Sequence, residues 1–281
     1  MEEMICSLAL LDLVEAGAMR SNRLRSLMLK VGDVTEVVNA LNRRGIPVDV
    51  EGFKGEAERL SKLGIEVIPI SSIRYPSRLR GVRNAPPVIF KRGRANLEGE
   101  FVAIVGTRNP TPHGIDVARQ FARTFVKMGF GIVSGLALGI DTEAHRGALD
   151  AGGETIAVLG CDLERVYPER NRGLAQVILG RGALISEHRR AKPTPRNLIL
   201  RNRLISGIST ILLALEPEKG ALRAVRYAIS QSRSVFIGMS EPGLKGFLRR
   251  EDGAYLFDHT AVPSVGEVAR RMISLDGRLS P

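Results

Sequence analysis

The chain has 281 residues, enough for one large α/β domain and a small one. A hydrophobic fraction of 44%, an acidic start (Met1-Glu2-Glu3-Met4) unlike a signal peptide, and no apolar run near the about eighteen residues of a membrane span predict a soluble, cytoplasmic protein without a membrane partner. Two distant cysteines, Cys6 and Cys161, exclude a disulfide framework or a zinc site, while 41 basic against 30 acidic residues, 33 of them arginine, favour a phosphate-bearing partner.

Residues 4–62 read as short helices (5–17, 22–32, 34–45 and 55–64), with apolar residues at helical spacing and a glycine closing each. No basic residue here is paired with a Gly-x-Gly hairpin, so a helical unit over 1–64 is read as packing or adaptor rather than DNA-binding. Residues 65–100 are extended and proline-rich, with two short strands. From 101 on, strands and helices alternate every 25–30 residues or so. Strands are predicted at 101–105, 131–135, 155–160, 183–186, 210–215, 234–238 and 254–257. Helices are predicted at 113–128, 140–151, 170–179, 198–207, 220–231 and 245–251, with a last one after Val265. Near-continuous apolar strands of this kind predict an α/β fold: a doubly wound, mostly parallel Rossmann-like sheet over 65–281, with ligands at the carboxyl ends of its strands.

Four strand ends could carry chemistry. In the first, Gly106-Thr107-Arg108 leads to Thr111 as N-cap and Pro112 at the first helical position, a glycine loop and helix start suited to an anion. It is neither G-x-G-x-x-G nor a P-loop, so no nucleotide cofactor is expected. The second runs from Ser134-Gly135 through Gly139 to Asp141 and His145. Asp141 is placed to cap the following helix, and His145, four residues on, shares its face. A metal would need a third ligand, so a hydrogen-bonded cap network is preferred, and Ser134 lacks the surroundings of a nucleophile. At the third, Tyr167 either stacks on a base or packs half-buried, and Cys161 is a small residue behind the loop. At the fourth, Asn202 is expected to pin a loop between Arg201 and Arg203. One of these arginines pairs with Glu187, and the other goes to phosphate. The basic run from Arg181 to Arg203, opposed only by Glu187, is read as a polyanion track.

At these residues the chain resembles the DNA-processing protein A family (DprA, also called Smf). The likeness runs from Tyr75-Pro76 to residue 237 through Y-P-x-x-L, A-P-P-V-I-F-x-R-G, VAIVGTRNPTPHG, VSGLALGIDTEAHRGAL, GGETIAVLGCDLERVYPERNRGLA, GALISEH and RNRLISGIS. The resemblance implies an extended Rossmann-like domain behind a small helical domain of the SAM or helix-hairpin-helix kind. It implies a homodimer, not an enzyme, that binds and protects incoming single-stranded DNA in natural transformation and loads a RecA-type recombinase onto it. By motif, Gly106, Thr107, Arg108, Ser134, Gly135, Arg201, Asn202 and Arg203 would line its phosphate pocket. The chain departs from the family after the strand at 210–215. A Ser-Gly-Ser-Leu-x-Thr-Ala loop is replaced by Lys219-Gly220-Ala221-Leu222-Arg223-Ala224-Val225, where Lys219 and Arg223 offer charge in place of hydroxyls. The segment 238–252 lacks the family's asparagine, and no winged helix follows.

The competing reading is a Rossmann-like nucleotide sensor or a nucleotide phosphoribohydrolase. Such hydrolases carry a Gly-Gly-x-Gly-Thr loop and a catalytic glutamate. That loop is missing here, and Glu216 and Glu218 are expected on the far side of the altered segment. The homodimer is expected to pair through 220–250, where Val225, Ile229, Val235 and Phe236 lie near an open strand edge at 234–238.

Overall fold

The computed structural model describes residues 1–239, 249–251, 253–260 and 264–277. The N-terminal unit contains α1 (Glu2–Glu15), α2 (Ser21–Val31), α3 (Val34–Asn42) and α4 (Lys54–Lys62). The linker supplies β1 (Ile65–Pro69), the single turn α5 (Ser77–Arg80) and β2 (Val88–Gly93). Alternation then gives β3 (Phe101–Gly106), α6 (Pro112–Lys127), β4 (Gly131–Ser134), α7 (Ile140–Asp150), β5 (Thr155–Val158), α8 (Arg172–Arg181) and β6 (Ala183–Ser186). Two short helices, α9 (Pro195–Leu200) and α10 (Asn202–Ile208), lead to β7 (Ile211–Leu215), α11 (Lys219–Ser230) and β8 (Ser234–Met239). The last described elements are β9 (Arg249–Glu251), β10 (Ala254–Asp258) and α12 (Val265–Asp276).

The strands form one sheet in the order β1-β2-β6-β5-β4-β3-β7-β8-β10-β9. From β6 to β10 every pairing is parallel, while β1, β2 and β9 run antiparallel to their neighbours. This is the doubly wound α/β architecture expected. The winding reverses between β3 and β7, which opens a crevice beyond their carboxyl ends.

Strand residues alternate between two apolar layers. Val102, Ile104, Ile211, Leu213 and Leu215 face α6, α7 and α12, against Phe121, Phe125 and Met272. Ala103, Val105, Leu212 and Ala214 face the other way, in a core continuous with Leu8, Leu10 and Leu24 of the N-terminal helices. Each fully buried leucine or phenylalanine contributes about 1.5–3 kcal/mol, so this continuity ties the helical unit firmly to the sheet.

Three expectations are corrected. The helix predicted over 198–207 is broken at Arg201, where α9 ends and α10 begins. Residues 249–251 are strand rather than helix, because they pair with β10; residues 245–248 lie outside the described residues. Finally, 234–238 is not an open edge. β8 is hydrogen-bonded to β7 on one side and β10 on the other, and Val235 and Phe236 are core. Most of the segment 238–252, and with it the missing asparagine, also falls outside the described residues.

Candidate nucleic-acid interface

The carboxyl ends of β3, β4, β5, β6 and β7 converge on a cavity of about 420 Å³, within the range of nucleotide-sized ligand sites. Its floor is the loop Gly106-Thr107-Arg108, which must lie close to its neighbours. A Cβ on Gly106 would stand 2.2 Å from the Leu215 carbonyl oxygen. Thr194 caps α9 by accepting from the Asn197 N–H, and that short helix brings Leu198 and Ile199 to one wall. Ala221 and Ala224 of α11 form the opposite wall. Tyr167 stands at the mouth, 41% exposed, and borders a smaller annex that continues over Gly135, Leu138 and Pro168.

Positive charge enters this cleft from two arginines with different surroundings. Arg108 is exposed and has no hydrogen-bond or ion-pair partner among the described residues. Arg201 is buried behind it: Nη1 donates to the Val158 carbonyl at 2.6 Å, Nε donates to Leu198 at 3.2 Å, and Nη2 lies 3.8 Å from Asp141 Oδ2. Glycine at 135 is required by this packing, since a Cβ there would stand 1.7 Å from Arg201 Nη1. Burial raises the Asp141 carboxyl above the usual carboxylate range, opposed by Arg201 and by the N–H groups of Ala137, Gly135 and Gly106. Burial likewise lowers Arg201, with Asp141 opposing.

The cap assignments divide. Thr111 does cap α6, accepting from the Gly114 N–H at 3.0 Å. Asp141 does not cap α7, whose N-cap is Gly139; its Oδ2 instead turns back to the loop and accepts from Gly135 at 3.1 Å. His145 is no cap either. Its Nδ1 meets Thr155 Oγ1 at 2.7 Å, anchoring α7 to β5, and burial pushes its pKa down to about 3, so the ring is neutral. Asn171 completes this scaffold: its Nδ2 donates to the Leu136 carbonyl at 2.8 Å and to Thr142 Oγ1 at 2.9 Å.

The structure separates the remaining predicted residues. Gly106, Thr107, Arg108, Arg201 and Asn202 line the main cavity, and Gly135 lines the annex. Asn202 Nδ2 donates to the Gly220 carbonyl at 3.2 Å, tying α10 to the start of α11. Ser134 is fully buried, and its hydroxyl is spent on the Ile104 carbonyl at 2.6 Å. Arg203 points away from the cavity: Nη1 donates to Glu187 at 2.6 Å, and its second nitrogen makes a shorter contact to the same carboxylate. Lys219 and Arg223 are exposed outside the lining. The basic run is dispersed as well. Arg189 is buried against Asp12, Glu15 and Glu56, and Arg190 pairs with Glu56 at 2.9 Å, so acids of the helical unit neutralise both. Lys192 and Arg196 stay exposed near the cavity rim.

Sequence reasoning misplaced two carboxylates, Glu216 and Glu218. Glu216 accepts from the Thr111 N–H at 2.9 Å and from its Oγ1 at 2.5 Å, so the start of α6 is already occupied by an anion from the chain itself. Glu218 is on the cavity wall rather than beyond it, accepting from Thr107 Oγ1 at 2.5 Å. Glu218 is also the N-cap position of α11, yet it makes no side-chain cap, so the first-turn N–H groups of α11 have no such partner. Gly220 and Ala221 of that turn line the cavity together with Arg108. Among the described residues no group of three or more metal-ligating side chains occurs, and no helix is long and apolar enough to cross a membrane.

Comparison with known proteins finds the family model described as DNA recombination-mediator protein A over residues 66–253. The chain is 41% identical over 179 residues to Protein Smf of Synechocystis, a match covering 61% of this chain and 45% of that protein. It is 38% identical over 178 residues to DNA processing protein DprA of Bacillus subtilis, covering 62% and 60%. The chain thus spans about half the length of the curated relatives it matches. Among solved structures, DNA processing protein A of Streptococcus pneumoniae superposes with a TM-score of 0.61 at 27% identity, covering 87% of this chain and 84% of that one. The Helicobacter pylori protein, described for its single-stranded DNA binding mode, shares the fold with a TM-score of 0.60 at 24% identity, covering 75% and 96%.

Proposed function

The chain belongs to the DNA recombination-mediator protein A family, and from that premise we propose that its switch-point cavity binds single-stranded DNA one nucleotide deep. One observation carries the reading: a nucleotide-sized cleft with apolar walls has an arginine unpaired among the described residues and a helix start without a side-chain cap. Leu198, Ile199, Ala221 and Ala224 suit the faces of a heterocycle. Arg108 and the first turn of α11 suit its phosphate, and Tyr167 offers a stacking surface to the next base. A duplex keeps its bases paired and stacked, so it cannot deliver one into this cleft without first paying for unpairing. Single strands are therefore preferred, with little sequence preference along the track and a steep loss of affinity with salt.

Titration of labelled single-stranded and blunt duplex oligonucleotides at two salt concentrations tests this. Tighter single-strand binding that weakens with salt is expected; equal binding, or a flat salt response, would remove the proposal. Strand protection, delivery to a RecA-type recombinase and homodimer formation are proposed on the family resemblance alone. For the dimer, the exposed Leu222 and Ile229 on α11 replace the strand edge as the candidate surface. Sedimentation at micromolar concentration, with a charge introduced at Leu222, checks it.

Glu218 is the one observation favouring the hydrolase reading, since it puts a carboxylate in a nucleotide-sized cleft. Binding without catalysis is nevertheless proposed. The carboxylate is held by Thr107, and the second carboxylate lining the cavity, Asp141, is committed to the Gly135 N–H and to Arg201. Release of base from nucleoside monophosphates, abolished by Glu218→Gln, would reverse the choice.

A further inference from the structure

A carboxylate inside a site for a polyanion calls for a reason, because it opposes every phosphate that approaches. Glu218 is placed with some definition: Oε1 accepts from Thr107 Oγ1, whose own oxygen also accepts from the Asn109 N–H at 3.1 Å. Its second oxygen, Oε2, has no partner among the described residues and belongs to a residue lining the cleft. Arg201, the buried cation of the cavity lining, is committed to Val158, Leu198 and Asp141. The cleft therefore offers an incoming base a carboxylate whose second oxygen has no partner among the described residues, beside apolar walls.

A carboxylate only accepts hydrogen bonds, and each oxygen can accept two. The Watson–Crick edge of guanine presents N1–H and the 2-amino N–H side by side, which match the two oxygens while Oε1 keeps Thr107. Adenine and cytosine offer one amino group. Thymine offers a single N–H flanked by two carbonyl oxygens that face the carboxylate unfavourably. We infer that Glu218 makes the cavity select guanine over thymine, giving one base-reading position on an otherwise sequence-tolerant track. The inference rests on the single-strand reading above. A bidentate contact of this kind discriminates by about tenfold.

Anisotropy titrations would use a labelled (dT)20 strand, the same strand with guanine at every fourth position, and the same with inosine there, which lacks the 2-amino group. Guanine is expected to tighten binding about tenfold over thymine, with inosine between them. Glu218→Gln should bring the three strands together, and Thr107→Val, which frees the carboxylate without changing charge, should weaken the guanine preference; melting temperatures verify that both variants fold. Equal wild-type affinity for all three strands would overturn the inference and leave single-strand binding intact. An equal tightening of every strand by Glu218→Gln, with the preference unchanged, would also overturn it, marking Glu218 as an electrostatic brake only. Failure of the wild type to bind any strand would overturn the underlying reading.

Discussion

Helices α6 and α11 start beside each other at the carboxyl edge of the sheet, because the strands that deliver them, β3 and β7, are hydrogen-bonded neighbours. Both starts present backbone N–H groups and the positive end of a helix dipole. At α6 Thr111 caps the first turn and Glu216 sits on Thr111, so that end is closed. At α11 the N-cap carboxylate turns aside to Thr107 and the first turn faces a cleft. Two glutamates two residues apart thus produce opposite outcomes. An anion site depends less on the presence of a helix start than on whether the chain has already filled it.

The harshest way to break the comparison is to remove the scaffold behind both loops. Asp141→Ala would leave the Arg201 charge buried and free the N–H groups of Gly135 and Ala137. A loss of about 3–5 kcal/mol is expected in denaturant melts; a change below about 1 kcal/mol would show that the pair is not needed to hold the loops. Next comes the open start. Arg108→Ala should weaken single-strand binding about tenfold to a hundredfold at unchanged melting temperature, as the loss of a charge-assisted contact of about 1.5–3 kcal/mol. Wild-type affinity in that variant would place the phosphate elsewhere.

The closed start should respond in the opposite way. Glu216→Ala should lower stability by about 1 kcal/mol, or roughly 2–4 °C in melting temperature, with single-strand affinity unchanged. Tighter DNA binding in that variant would mean that α6 can open. The smallest effect at neutral pH concerns His145. Its folded-state pKa of about 3 lies below the usual histidine value of 6.5, so the unfolded chain binds the extra proton first. Stability from this group is complete above about pH 6.5 and is lost as pH falls toward 3, by up to about 1.4 kcal/mol per pH unit. His145→Asn should flatten that slope in melts recorded between pH 7 and pH 4, and an unchanged slope would assign it to other groups.

Much of this was legible in the chain itself. Apolar runs such as Ile211–Leu215 are buried on both faces, so composition alone reports them as parallel strands. The Gly106-Thr107-Arg108 loop and the Thr111-Pro112 helix start are local signals and both form, but the helix start read as suited to an anion is closed by Glu216. What escaped depended on distant contacts. Glu216 and Glu218 reach residues more than a hundred positions away. Arg189 meets its acids across 177 and 174 residues, which is why a basic run in sequence is not a basic track in space. The partners of β8 likewise include a strand that comes later in the chain, so an edge inferred from chain order disappears into the sheet.

The contrast between the two helix starts can be measured in one titration. Gly114 lies at the closed end of α6 and Gly220 at the open end of α11, and each carries a backbone N–H that nuclear magnetic resonance can follow. On addition of a short single-stranded oligonucleotide, the Gly220 amide is expected to shift with the binding isotherm while the Gly114 amide stays in place. A shift at Gly114 with none at Gly220 would contradict the account, since it would put the phosphate on the helix start that the protein's own Glu216 carboxylate occupies.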